Sequence, residues 1–120
     1  MQRSVIAAVD DLFFASKIRA TAEQYGVKVG FARSIDLALE AARKIQPALI
    51  ICDLNSARID SIQLARQLKT DESLRSIPLI GFFSHVQTEL QRNAEQAGFD
   101  RVIPRSVFTK SLALILQGST

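Results

Sequence analysis

Asp53 stands at the end of an apolar run, Pro47-Ala48-Leu49-Ile50-Ile51-Cys52, and the acid pair Asp10-Asp11 ends another, Val5-Ile6-Ala7-Ala8-Val9. Each run has the length and composition of a strand inside a parallel sheet, covered on both faces. Two such strands side by side bring three carboxylates to their C-terminal ends, the edge at which open α/β sheets bind ligands. Carboxylates held that close repel one another, by about 4 kcal/mol per pair at ~4 Å and an effective dielectric near ~20. A cluster of this kind implies a divalent cation, a basic partner or phosphoryl chemistry. Asp53 is suited to act as a nucleophile on phosphorus, giving an acyl phosphate. The plainer reading is a strand-end aspartate that caps the next loop. Asp10 and Asp11 suit Mg²⁺, which takes oxygen ligands and bridges to phosphate. Asp11 is also placed to N-cap the helix that follows it.

Strand-like and helix-like segments alternate five times, and this alternation must position the acids. The first strand is Val5 to Val9. Leu12, Ala15, Ile18 and Ala22 recur at helical spacing up to about Tyr25, and Gly26 stops that helix. Val27 to Ala32 alternates as a second strand. Ser34 is a suitable N-cap for a helix over Ile35 to Ile45, with Leu37, Ala38, Ala41, Ala42 and Ile45 on its apolar face. Pro47 closes it and the third strand follows. Residues 54–59 read as a loop, and Ile62, Leu64, Ala65 and Leu68 mark a third helix. A fourth strand spans Ile77 to Phe83, a fourth helix Gln87 to Ala97, a short fifth strand Arg101 to Ile103, and a closing helix Ser106 to Leu116. Such alternation predicts a five-stranded parallel sheet with five helices on its two faces, joined by right-handed crossovers.

The bulk properties narrow the classes. A chain of 120 residues with 48% hydrophobic content is one domain with one real core. No apolar stretch approaches the ~20 residues of a membrane span, and the N-terminus lacks a signal-peptide pattern. The single cysteine, Cys52, has no internal disulfide partner and reads as core, which fits a reducing cytoplasm. The net charge of +3 is mild, and no basic run interleaved with aromatics argues for direct nucleic-acid binding.

An acid pair after strand one and an aspartate at the end of strand three resemble the receiver domain of two-component response regulators. The resemblance covers residues 1–120 as a single receiver-like domain. It implies the flavodoxin-like fold with strand order 2-1-3-4-5. It also implies that Asp53 is the phosphoacceptor, that Asp10 and Asp11 with Asp53 bind Mg²⁺, and that Asn55 lends its backbone carbonyl to the metal. A sensor histidine kinase or phosphotransfer protein would supply the phosphoryl group, an output protein would read it, and a homodimer is a family habit. The chain is then a signalling module rather than an enzyme.

Other positions depart from the family pattern. Phe83 stands where a Thr or Ser hydroxyl is usual, and Ser84 follows one place late. Arg105 stands where Lys is usual, followed by Ser106 instead of Pro; Pro104 precedes it. Val102 replaces an aromatic switch residue, Ala57 a proline and Ser61 a glycine. A hydroxyl at position 83 would hydrogen-bond the phosphoryl group, worth about 1.5–3 kcal/mol. Full conversion of a two-state domain needs roughly 5.5 kcal/mol of differential binding. Phe83 therefore removes much of the usual drive; it either fills the vacated space or simply ends a core strand. Guanidinium and ammonium are not equivalent at a phosphate, and Arg105 is expected either to bridge to Asp53, which would oppose Mg²⁺, or to lie on the surface. The peptide bond after Arg105 is expected to be trans, while that into Pro104 is open. His85 reads as a loop residue.

Two mechanisms follow. In one, Asp53 is phosphorylated with Mg²⁺ and the domain responds weakly. In the other, the domain is a pseudo-receiver that binds a partner through helix four, strand five and helix five without phosphorylation. A small flavodoxin-like ligand-binding domain or enzyme is the alternative of another class, with no cofactor fingerprint to support it.

Overall fold

The computed structural model describes residues 2–84 and 87–118; His85 lies outside them. The strands are β1 (Ser4–Ala8), β2 (Lys28–Phe31), β3 (Leu49–Asp53), β4 (Leu79–Phe83) and β5 (Arg101–Pro104). The helices are α1 (Leu12–Gln24), α2 (Ile35–Ile45), α3 (Ser61–Thr70), α4 (Thr88–Ala97), α5 (Arg105–Lys110) and α6 (Leu112–Gln117). All strand pairs are parallel, in the order β2-β1-β3-β4-β5. The parallel sheet expected from the alternation, in the flavodoxin-like order implied by the resemblance, is therefore present, with six helices among the described residues rather than five. The closing helix divides at Ser111, whose N–H still reaches the Val107 carbonyl at 3.0 Å and whose own carbonyl accepts from Ile115 at 2.9 Å.

Period-two alternation along the strands sorts the core into two layers. Ile6, Ala8, Ile50, Cys52, Leu79 and Phe83 point toward α2, α3 and α4, where Ala38, Leu39, Leu64, Leu68 and Ala94 meet them. Val5, Ala7, Val9, Leu49, Ile51, Ile80 and Phe82 point toward α1, α5 and α6, against Phe14, Ile18, Phe108, Leu112 and Leu116. Burial on this scale is the main stabilising term of the domain.

Two helix faces differ from expectation. On α1 the buried set is Phe14, Ala15, Ile18 and Ala22, while Leu12 is exposed. On α2 the buried set is Ala38, Leu39 and Ala42, while Leu37 and Ile45 are exposed. On α1 three of the four expected positions are buried and Phe14 replaces Leu12; α2 is rotated relative to the stripe drawn from spacing, because its alanines satisfy either face. Asp11, Ser34 and Asp60 cap α1, α2 and α3 by accepting N–H groups of Phe14, Leu37 and Gln63. Gly98, at φ 116°, ends α4, and a side chain there would also collide with Lys69.

Candidate functional site

Register brings the site together. Ala8 pairs with Cys52, so the chain leaves β1 for Asp10 and Asp11 beside the end of β3, where Asp53 pairs with Phe82 of β4. Asp53 follows Ile51 by two residues and thus faces the α1–α5–α6 side, whereas Cys52 is buried on the other. Asp53 is only 6% exposed. Its Oδ1 accepts the Asn55 N–H at 2.9 Å, and its backbone carbonyl accepts the Ser61 hydroxyl at 2.8 Å. Burial pushes the Asp53 carboxyl above the ordinary range. The Asn55 N–H and the Arg105 charge oppose this, and Asp10 and Asp11 reinforce it. Asp10 and Asp11 are thus near enough for their charges to act on Asp53.

Arg105 takes neither of its two expected places. Its Nη2 donates to Asp11 Oδ2 at 3.0 Å, and its guanidinium lies 4.1 Å from the centroid of Phe14 and 5.9 Å from that of Phe82. Phe14, Phe82 and Phe108 form a cluster beneath it, with centroids 4.8–5.7 Å apart. A planar cation suits this stacked position, and an ammonium would fill it poorly. Lying over Phe14 and bonded to Asp11, the guanidinium influences Asp53 only through its charge. The Arg105 bond, then the Phe14 N–H, holds the Asp11 carboxyl below the ordinary range.

Phe83 does not fill space beside Asp53. It is buried in the opposite layer with Cys52, Leu54 and Ala94. Strand alternation puts its side chain on the face opposite Phe82, where the apolar ring is covered. Ser84 is exposed, and its N–H donates to Asn55 Oδ1 at 2.6 Å. Val102 is partly buried and packs against the same layer as Phe83. No peptide bond among the described residues is cis, so the bonds into Pro104 and Ser106 are both trans.

Sequence reasoning missed Phe14 and Phe108. Their spacing was the available signal: each lies three residues beyond a charged member of the pair, Asp11 and Arg105, on the same helical face. It also read Ser61 only as a departure, although its hydroxyl ties α3 to the Asp53 carbonyl.

The donor chemistry around Asp53 consists of carboxylate and carbonyl oxygens, which suits Mg²⁺. Among the described residues, however, no group of three His, Cys, Asp or Glu side chains is gathered closely enough to hold a metal ion. Both Asp11 oxygens are engaged, Oδ1 by Phe14 N–H and Oδ2 by Arg105. A metal at this edge would compete with Arg105 for Asp11. No helix among the described residues is long and apolar enough to cross a membrane.

Comparison with known proteins agrees with this geometry. The family description "response regulator receiver domain" matches residues 5–117. The polar-differentiation response regulator DivK of Brucella ovis is 27% identical over 107 residues, covering 89% of this chain and 87% of DivK. In fold, the chain resembles the chemotaxis response regulator CheY4 of Vibrio cholerae, with a TM-score of 0.85 at 18% identity and complete coverage of both chains. It also resembles the phosphorylated cyanobacterial phytochrome response regulator RcpA, with a TM-score of 0.82 at 18% identity over 98% of this chain and 91% of that one. With an acid-bearing edge on a 2-1-3-4-5 parallel sheet and a family match along almost its whole length, this chain belongs to the response regulator receiver domains, the signalling modules of two-component systems.

Proposed function

We propose that the protein is a phosphorelay receiver whose Asp53 accepts a phosphoryl group from a sensor histidine kinase or phosphotransfer protein, in an atypical site. The observation that carries this reading is the placement of Asp53. It sits at the C-terminal end of the central strand, with the charges of Asp10, Asp11 and Arg105 acting on it. Asp10, Asp11, Asp53 and the Asn55 backbone carbonyl would hold Mg²⁺, which would supply positive charge to the transferring phosphoryl group, once Arg105 gives up Asp11 and the acids draw together. Asp53 attacks phosphorus, the bond to the donor breaks, and an acyl phosphate remains on Asp53. Arg105 offers a second positive charge. The response is weaker than the family norm because no hydroxyl extends from position 83 toward the acid side.

A second reading is a phosphorylation-independent interaction module acting through α4, β5 and α5. The Arg105–Asp11 pair favours it, since it occupies an acid the metal would use. Beryllofluoride with Mg²⁺, a mimic of the phosphoryl group, separates the two. Amide resonance shifts at residues 53–55 that vanish in Asp53→Asn support the first reading. Spectra that stay unchanged at saturating Mg²⁺ support the second.

A further inference from the structure

Asn55 makes two bonds in opposite directions. Its backbone N–H donates to Asp53 Oδ1 at 2.9 Å, and its side-chain Oδ1 accepts the Ser84 N–H at 2.6 Å. One residue therefore joins the candidate phosphoacceptor to the segment that leaves β4, 29 positions away in sequence. The position that would normally make this link by a hydroxyl holds Phe83, whose ring lies in the opposite core layer. Ser84 itself is exposed and directly follows the last residue of β4.

We infer that the Asn55 carboxamide connects Asp53 to Ser84, the residue that leaves β4, a positioning role in place of the absent hydroxyl. The inference deepens the phosphoacceptor reading and rests on it for the signal that is carried. Asp53 Oδ1 is the atom that holds the Asn55 N–H. A phosphoryl group on Asp53 changes the charge and position of that acceptor, and the Asn55 backbone responds. Its side chain, fixed to the same Cα, moves the point at which Ser84 is held. Asn is suited to this because its carboxamide is neutral, short and an acceptor at Oδ1. An aspartate would keep the acceptor while adding charge beside Asp53, and alanine would remove the link but leave the backbone bond to Asp53.

The test uses the full chain, isotope-labelled, as wild type, Asn55→Ala and Asn55→Asp. In the metal-free protein, hydrogen exchange at the Ser84 amide is expected to be about fivefold faster or more in Asn55→Ala, and near wild type in Asn55→Asp. Beryllofluoride with Mg²⁺ is then added to wild type and Asn55→Ala. The account expects the residue 55 amide to shift in both and the Ser84 amide to shift only in wild type. A Ser84 shift that persists in Asn55→Ala overturns the inference, as does unchanged Ser84 exchange in that variant. If no amide of residues 53–55 shifts in wild type, the phosphoacceptor reading fails and the signalling role of Asn55 falls with it. Exchange at Ser84 still reports whether Asn55 holds the two segments together.

Discussion

Arg105 donates to Asp11 at 3.0 Å while its guanidinium covers the Phe14 ring at 4.1 Å, so the basic residue of this receiver is joined to the acid that caps α1. Asp53 is left with a free-standing electrostatic influence from Arg105 rather than a bond. This arrangement gives the site an internal competitor for any cation that uses Asp11.

Substituting Arg105→Lys is expected to weaken that competition. Lysine loses the stacked fit on Phe14 and holds Asp11 less firmly. Mg²⁺ affinity should rise by about 1.4- to fivefold, matching the ~0.2–1 kcal/mol of a partly exposed ion pair. Thermal stability should fall by about 1 kcal/mol from the lost cation–π contact. Calorimetric Mg²⁺ titration of both proteins checks this; equal affinities would remove Arg105 as a competitor.

Asp53→Asn should raise stability at neutral pH. Folding raises the Asp53 pKa above its ordinary value of 3.8, chiefly through burial, so the folded state is penalised once the carboxyl ionises. The penalty is absent below the unfolded value and complete above the folded one. The amide keeps an acceptor for the Asn55 N–H without charge. Denaturation midpoints of the two proteins should therefore differ at pH 7 and converge as pH falls through the acid range. A variant less stable than wild type at pH 7 would mean that burial of this charge is better compensated than the geometry indicates.

Asp11→Ala should behave with the opposite sign. Arg105 and the Phe14 N–H hold the Asp11 pKa below 3.8 on folding, so its contribution is present above that value and is lost as pH falls. Loss of the α1 cap costs about 1 kcal/mol at neutral pH, and urea titrations from neutral to acid pH should show the difference shrinking.

How far these features were legible in sequence depends on how local their cause is. The β1 and β3 runs and the caps Asp11 and Ser34 are set by neighbours within a few residues; the alternation leads to a parallel sheet, and the strand order came with the family resemblance. The rotation of α2 was not readable, because Ala38, Ala41 and Ala42 fit a stripe drawn on either side and only packing chooses. Arg105 meets Asp11 across 94 positions, and Ser84 meets Asn55 across 29. Alignment to the family pattern put Arg105 near the acids, but which acid it joins is decided by Phe14, Phe82 and Phe108. Phe83 was legible as a missing hydroxyl; its burial in the other layer became evident only with the registers of β3 and β4.

Cys52 offers a probe of the core next to the site. Burial, with the neighbouring Asp53 charge, pushes its thiol from 9.0 up to about 12. A thiol reagent at pH 8 should label it only as fast as the domain opens, with rates rising steeply in denaturant. Immediate labelling in native buffer would contradict the burial of β3.

The most direct measurement is intact-mass spectrometry after incubation with acetyl phosphate and Mg²⁺, a small donor that needs no cognate kinase. The account predicts a gain of one phosphoryl group in wild type, localised to Asp53, and none in Asp53→Asn. An unmodified wild type at saturating Mg²⁺, or a gain that persists in Asp53→Asn, would contradict it.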